Sequence, residues 1–209
     1  MKALFIASSL AASLVVLSGA AHAQQAAPTK IDPAVVDKYV ESMWAKAPDP
    51  WKTVPVQDET QRICTETRNN PSQADFTKIM EREKASVVFP ADGKVIGDWK
   101  AGERVANTGT GGQFTDGPNT PRGGNCYACH QMAPTELSYG TLGPSLQNYG
   151  KDRKFDPAEA RNAYAKIYDA QAVFPCSQMP RFGLHKFLSE QQMKDAVAYL
   201  FDPESPVNK

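Results

Sequence analysis

The 209-residue sequence has no excess charge of either sign, with 23 Lys and Arg against 23 Asp and Glu. It has no basic run, which removes the electrostatic footprint a nucleic-acid-binding chain needs. No second long apolar stretch follows the one at the N-terminus, so no membrane-spanning helix is expected in the body of the chain. Histidine is scarce at three residues and cysteine at four, with none of the cysteines before Cys64. The set lacks a second Cys-x-x-Cys pair, which a four-cysteine zinc site would need. These scarcities exclude most classes of metal and nucleic-acid chemistry and leave the few Cys and His positions to define what remains.

The N-terminus has the layout of an export signal. Met1 and Lys2 supply the positive start, residues 3–20 are apolar or small, and Ala21-His22-Ala23 presents the small residues that a signal peptidase reads. Residues 1–23 are expected to be removed after Ala23, which sends residues 24–209 to the periplasm. The absence of cysteine near that point argues against lipid attachment, so no membrane anchor is expected. All four cysteines then meet an oxidising compartment, where unpaired thiols are unusual.

Helical spacing marks the elements. Asp32 is an N-cap before Pro33, and Val36, Tyr39, Val40, Met43 and Trp44 recur on one face. Tyr39, Met43 and Trp44 are expected to be core. Residues 58–68 and 72–85 read as two further helices separated by Asn69-Asn70-Pro71. A helix opening near Gly97-Asp98 places Gly102 on a small-residue face, suited to close packing. Residues 107–125 are a loop rich in Gly, Thr, Asn and Pro. Residues 157–170 are expected to be helical, Gln171 to Leu188 irregular around Pro175 and Pro180, and the last helix to start from Ser189, whose partner Gln192 completes a capping box.

Chemistry concentrates at Cys126-Tyr127-Ala128-Cys129-His130, the c-type haem attachment sequence. Two thiols add across the two vinyl groups of haem to give thioethers, and the two-residue spacer lets both sulfurs reach one porphyrin edge. The adjacent histidine is then placed to ligate the iron. A thioredoxin-like pair or half a zinc site would account for the cysteines but not for His130. One motif implies one covalent haem c. His130 needs a partner for its other ring nitrogen, and the turn at Gly143-Pro144 is the candidate to supply a backbone carbonyl.

For the sixth iron position the methionines divide by place. Met132 is too close to His130 to reach the opposite face, Met193 lies on the apolar face of the last helix, and Met43 and Met80 fall in the N-terminal extension. Met179 stands in the irregular segment before the last helix, where a loop stiffened by Pro180 can fold over haem. Cys176 and His185 are its rivals. A thioether opposite imidazole favours reduced iron and suits electron transfer. With Cys126 and Cys129 committed to haem, Cys64 and Cys176 remain, and one disulfide between them is the simplest account.

These residues resemble a known family. Gly97-Asp98 with Gly102, the haem motif, Leu142-Gly143-Pro144 and a methionine before a terminal helix are together similar to a class I cytochrome c over residues 97–209. More narrowly, Gly143-Pro144-Ser145-Leu146, Tyr149-Gly150, Met179-Pro180-Arg181-Phe182-Gly183, Val197-Ala198-Tyr199-Leu200 and Asp202-Pro203-Glu204-Ser205-Pro206 resemble the SoxX subunits of the SoxAX cytochromes, most closely over residues 139–207. The resemblance implies an all-α class I cytochrome c domain at 97–209 behind a helical extension at 24–96. It implies a heterodimer with a SoxA-like cytochrome subunit, in which thiosulfate is coupled oxidatively to a cysteine of the SoxYZ carrier. The catalytic site would lie on the SoxA partner, and this chain would pass electrons to a downstream acceptor cytochrome. A free-standing electron shuttle is compatible with everything except the narrow match.

Overall fold

The computed structural model describes residues 32–209; the expected signal segment 1–23 lies outside the described residues. Seven α-helices account for the regular structure there, with no strand among the described residues. α1 spans Pro33–Trp44, with the Asp32 carboxylate accepting from the backbone N–H of Ala34 at 2.9 Å, and it belongs to a unit of its own. The expectation that its apolar face is core is not met. α1 buries none of its residues, and Tyr39 and Met43 are each 64 % exposed. Helical periodicity identifies a face but cannot say that anything covers it.

Ala45–Lys209 form the second unit. α2 (Glu59–Glu66) starts from a full capping box in which Asp58 accepts from Gln61 N–H and the Gln61 side chain accepts from Asp58 N–H. α3 (Gln73–Ser86) is capped by Ser72. α4 (Trp99–Asn107) is capped by Asp98, α5 (Tyr149–Asp152) is a single turn, and α6 (Pro157–Tyr168) begins with Asp156 at its cap and Pro157 at its first position. α7 (Glu190–Phe201) has the expected Ser189–Gln192 capping box. Short 3-10 turns occur at Asp49–Trp51, Cys126–Ala128, Ala170–Ala172 and Pro206–Asn208.

The core forms around α7, whose Val197, Tyr199, Leu200 and Phe201 pack with Val105 and Ala106 of α4, Tyr164 and Ile167 of α6, and Met132. α4 crosses α7 at Gly102. A Cβ at that position would lie 1.9 Å from the Asp195 carbonyl oxygen and 2.8 Å from the Tyr199 Cβ, so only glycine permits this approach. Asp195, buried within α7, accepts from Asp98 N–H at 2.9 Å and from Gln191 Nε2 at 2.7 Å, which pins the start of α4 to α7.

Gly102→Ala is therefore expected to destabilise the protein by about 2–3 kcal/mol despite alanine's better helix propensity, because two backbones must separate. A urea titration followed by far-ultraviolet circular dichroism reads this as a lower midpoint with an unchanged slope. An unchanged midpoint would mean that the crossing does not depend on contact at Gly102.

At the other side of this unit, α2 and α3 meet the segment that follows α6. Cys64 of α2 is disulfide-bonded to Cys176, with Cα atoms 5.3 Å apart, and Ile79 of α3 is fully buried beside them. Close by, the Arg181 guanidinium bonds Asp169 through Nε at 3.0 Å and Nη2 at 3.1 Å, Glu83 through Nη2 at 2.5 Å, and Asp58 through Nη1. Glu83 also accepts from Thr60 Oγ1 and, at 3.2 Å, from Arg82 Nε.

Candidate haem site

The haem motif hangs from the end of α4. Gly124 N–H donates to Val105 O at 2.8 Å and Asn125 N–H to Thr108 O at 3.0 Å, after which Asn125 adopts a left-handed conformation (φ 46°) that turns the chain into the Cys126–Ala128 turn. His130 N–H returns to Cys126 O at 2.8 Å, so both cysteines and the histidine share one tight turn. Tyr127 joins that turn to α7 through a 2.7 Å hydrogen bond between its hydroxyl and that of Tyr199.

The two motif cysteines are half-buried and take no part in the disulfide, which joins Cys64 and Cys176. Burial pushes the Cys126 thiol up to about 11, the reverse of the depressed thiol of a reactive redox pair.

His130 is positioned by the following loop, which is laced back onto the motif. Gly140 N–H donates to Tyr127 O at 2.7 Å, Gly143 N–H to Cys129 O at 2.8 Å and Leu146 N–H to Gln131 O at 2.7 Å. This brings Pro144 O to 2.7 Å from His130 Nδ1. A carbonyl can only accept, so Nδ1 carries the proton and Nε2 keeps its lone pair for a metal. Gly143 lies against the imidazole: a Cβ there would sit 2.1 Å from Cε1 and 2.4 Å from Nδ1. The ring is thus oriented from one edge by a hydrogen bond and confined by backbone, as expected from the Gly143-Pro144 turn.

Met179 and Cys126 both pack against the main core, together with Leu146, Tyr149 and Phe187, which offer apolar surface suited to a porphyrin. Met132 and Met193 are core residues at 2 % and 3 % exposure, which removes them as candidates, and Cys176 is spent in the disulfide. His185 is exposed. It lines, with Met179, Gln57, Gln61 and Gln178, a cavity of about 370 Å³ between α2 and the Met179 segment.

These residues fit haem c. One histidine whose Nδ1 is engaged by Pro144 O, and two cysteines outside the disulfide on the same turn, are a donor set for a porphyrin edge and its iron. No group of three or more His, Cys, Asp or Glu side chains that could hold a metal ion occurs among the described residues. Haem bound here would be attached by Cys126 and Cys129 and supply a one-electron couple at its iron. The chain's own part is to hold His130 in one tautomer and to cover the macrocycle with apolar side chains that exclude water.

Two contributors to this architecture had no sequence signal as site residues. Asn208, buried near the C-terminus, accepts from the N–H groups of Gly150 and Lys151 at 3.1 Å each and donates to Leu200 O and Asp202 O, which ties α5 and the chain end to α7. Arg181 was legible only as one letter of a resemblance, and its three acidic partners lie up to 123 positions away in sequence.

Residues 99–202 match the family model described as cytochrome c. Over 202 residues the chain is 35 % identical to an uncharacterised lipoprotein of Aquifex aeolicus (strain VF5), covering 96 % of this chain and 95 % of that protein. A helical fold, a haem attachment turn with an oriented histidine and this family match agree on one conclusion. The chain carries a cytochrome c family domain over residues 99–202.

Proposed function

We propose that this protein is the monohaem electron-transfer subunit of an extracytoplasmic SoxAX-type heterodimer, with His130 and Met179 as axial iron ligands. It would accept electrons from a SoxA-like subunit as thiosulfate is joined to a cysteine of the SoxYZ carrier, and pass them to a downstream cytochrome. The observation that carries the reading is the segment Met179-Pro180-Arg181-Phe182-Gly183. It holds the best-placed methionine, packs on the same core as the haem turn, and lies within residues 139–207, where the resemblance to SoxX is closest. The export-like N-terminus and the family both support a location outside the cytoplasm. Among the described residues no helix is long and apolar enough to cross a membrane.

The surface beside the proximal ligand suits transfer to a protein partner. From Gly123 to Asn148 the only Asp, Glu, Lys or Arg is Glu136. Burial pushes that carboxyl up, and it accepts from Met132 N–H at 2.6 Å. Leu137 and Leu142 are 100 % and 88 % exposed in the same stretch. A face of this kind can approach another apolar face without stripping water from charges.

Two measurements test the reading. The ferric protein is expected to show the weak far-red sulfur-to-iron band, lost in Met179→Gly; a band that is absent or that survives the substitution rejects Met179. Mixed with a SoxA-like subunit, the protein is expected to sediment as a heterodimer and its haem to be reduced when thiosulfate and SoxYZ are added. A monomer whose haem stays oxidised would instead be a free-standing shuttle.

A further inference from the structure

The segment carrying Met179 has little backbone structure of its own. The Met179 N–H reaches only Ser177 Oγ at 3.3 Å, and Pro180 has no N–H to give. What fixes this stretch is side-chain chemistry on its two flanks, Cys176 three residues before Met179 and Arg181 two residues after it. Both flanks are tied to α2 and α3, the helices of the N-terminal extension, which the electron-transfer reading leaves without a task.

Arg181 is 6 % exposed, and its guanidinium is used from three directions. Asp169, the cap after α6, takes Nε and Nη2 as a parallel fork at 3.0 and 3.1 Å; Glu83 of α3 takes Nη2 at 2.5 Å; and Asp58, the N-cap of α2, takes Nη1. Three acids on three separate elements triangulate one planar cation. An ammonium group cannot satisfy that arrangement, because it has no rigid fork. Glu83 is itself held by Thr60 and Arg82, so the acceptor side of the cluster is fixed before Arg181 enters it.

We propose that Arg181 is a positioning residue for the sixth iron ligand, and that α2 and α3 act through it to hold Met179 on the iron. The inference rests on the reading of Met179 as that ligand. The cavity of about 370 Å³ lined by Met179, Gln61, Gln178 and His185 gives the loop somewhere to go when the grip is loosened. Arg181 therefore sets the balance between the iron-bound and the displaced thioether, and a small competing ligand reads that balance directly.

The test uses the full-length holocytochrome and imidazole as the probe. With the Met-bound state less populated, Arg181→Lys is expected to bind imidazole about tenfold more tightly at ferric iron than the wild type, with weakening of the sulfur-to-iron band. Its reduction potential should fall, while covalent haem and helical content are unchanged. Asp58→Asn, which removes one of the three acids at a half-exposed site, should shift imidazole affinity in the same direction by a smaller factor. In a Met179→Gly background the Arg181→Lys change should have no further effect, because its route to the iron is gone. If the wild-type band is lost in Met179→Gly but both cluster variants keep wild-type imidazole affinity and potential, the ligand stands and the positioning role is overturned. An equal effect of Arg181→Lys with and without Met179 also overturns it. Should Arg181→Lys fail to fold, Asp58→Asn decides alone, with hydrogen exchange of the 177–183 amides faster if the proposal holds and unchanged if it does not. A band that never depended on Met179 rejects the ligand reading itself, and this proposal with it.

Discussion

The double substitution Cys126→Ala/Cys129→Ala is expected to abolish covalent haem completely, from one haem per chain to none. The haem motif occurs once in the sequence, and the other two cysteines form a disulfide and have no thiol to offer. Each single substitution leaves one sulfur able to form a thioether, so the singles should retain covalent haem and only the double should lose it. Denaturation and organic extraction, followed by a pyridine haemochrome count and an intact mass, read the outcome. Haem retained by the double variant after extraction would overturn the attachment. His130→Gly separates attachment from ligation. It keeps both sulfurs, so the haem should remain covalent while the low-spin spectrum is lost. The carbonyl of Pro144 would then face a vacated site, since its only role there is to hold the Nδ1 proton.

Much of this was legible in the sequence because the signals are local. The Ser189–Gln192 capping box and the haem turn both depend on residues within a few positions of one another. Even the Pro144 carbonyl, fourteen positions from His130, follows from the shortness of the loop that must return to the ring. What could not be read is of two kinds. The Arg181 cluster joins positions 58, 83, 169 and 181, and no local pattern specifies which buried arginine meets which acids. Asn208 likewise gains its meaning only when the chain end folds against α5. The apolar face of α1 is the opposite case, a clear helical pattern in a helix that buries none of its residues.

Loss of the Cys64–Cys176 bond is expected to have the largest effect on stability. The bond joins residues 112 apart in sequence, so it removes a large share of the conformational freedom of the unfolded chain. A closed loop of this size is worth about 4–5 kcal/mol by chain-entropy reasoning, an upper value that any strain in the native bond reduces. Cys64→Ala/Cys176→Ala leaves no odd thiol and keeps the site apolar beside Ile63 and Ile79. Its urea midpoint should fall sharply and its slope should steepen, because an unfolded chain without the crosslink exposes more surface. Peptide mapping without reduction should first give one crosslinked peptide containing both cysteines; free thiols at both positions would end the argument. The folded state tests the second consequence. Cys176 lies three residues from Met179, and its own N–H is held by Gln171 Oε1 at 3.0 Å. Without the crosslink, imidazole should displace the sixth ligand more easily, but less so than in Arg181→Lys, because the arginine and its three acids still hold the nearer flank. A large loss of stability with unchanged imidazole affinity would place the disulfide's whole effect in the unfolded chain and leave Arg181 as the only restraint on the loop.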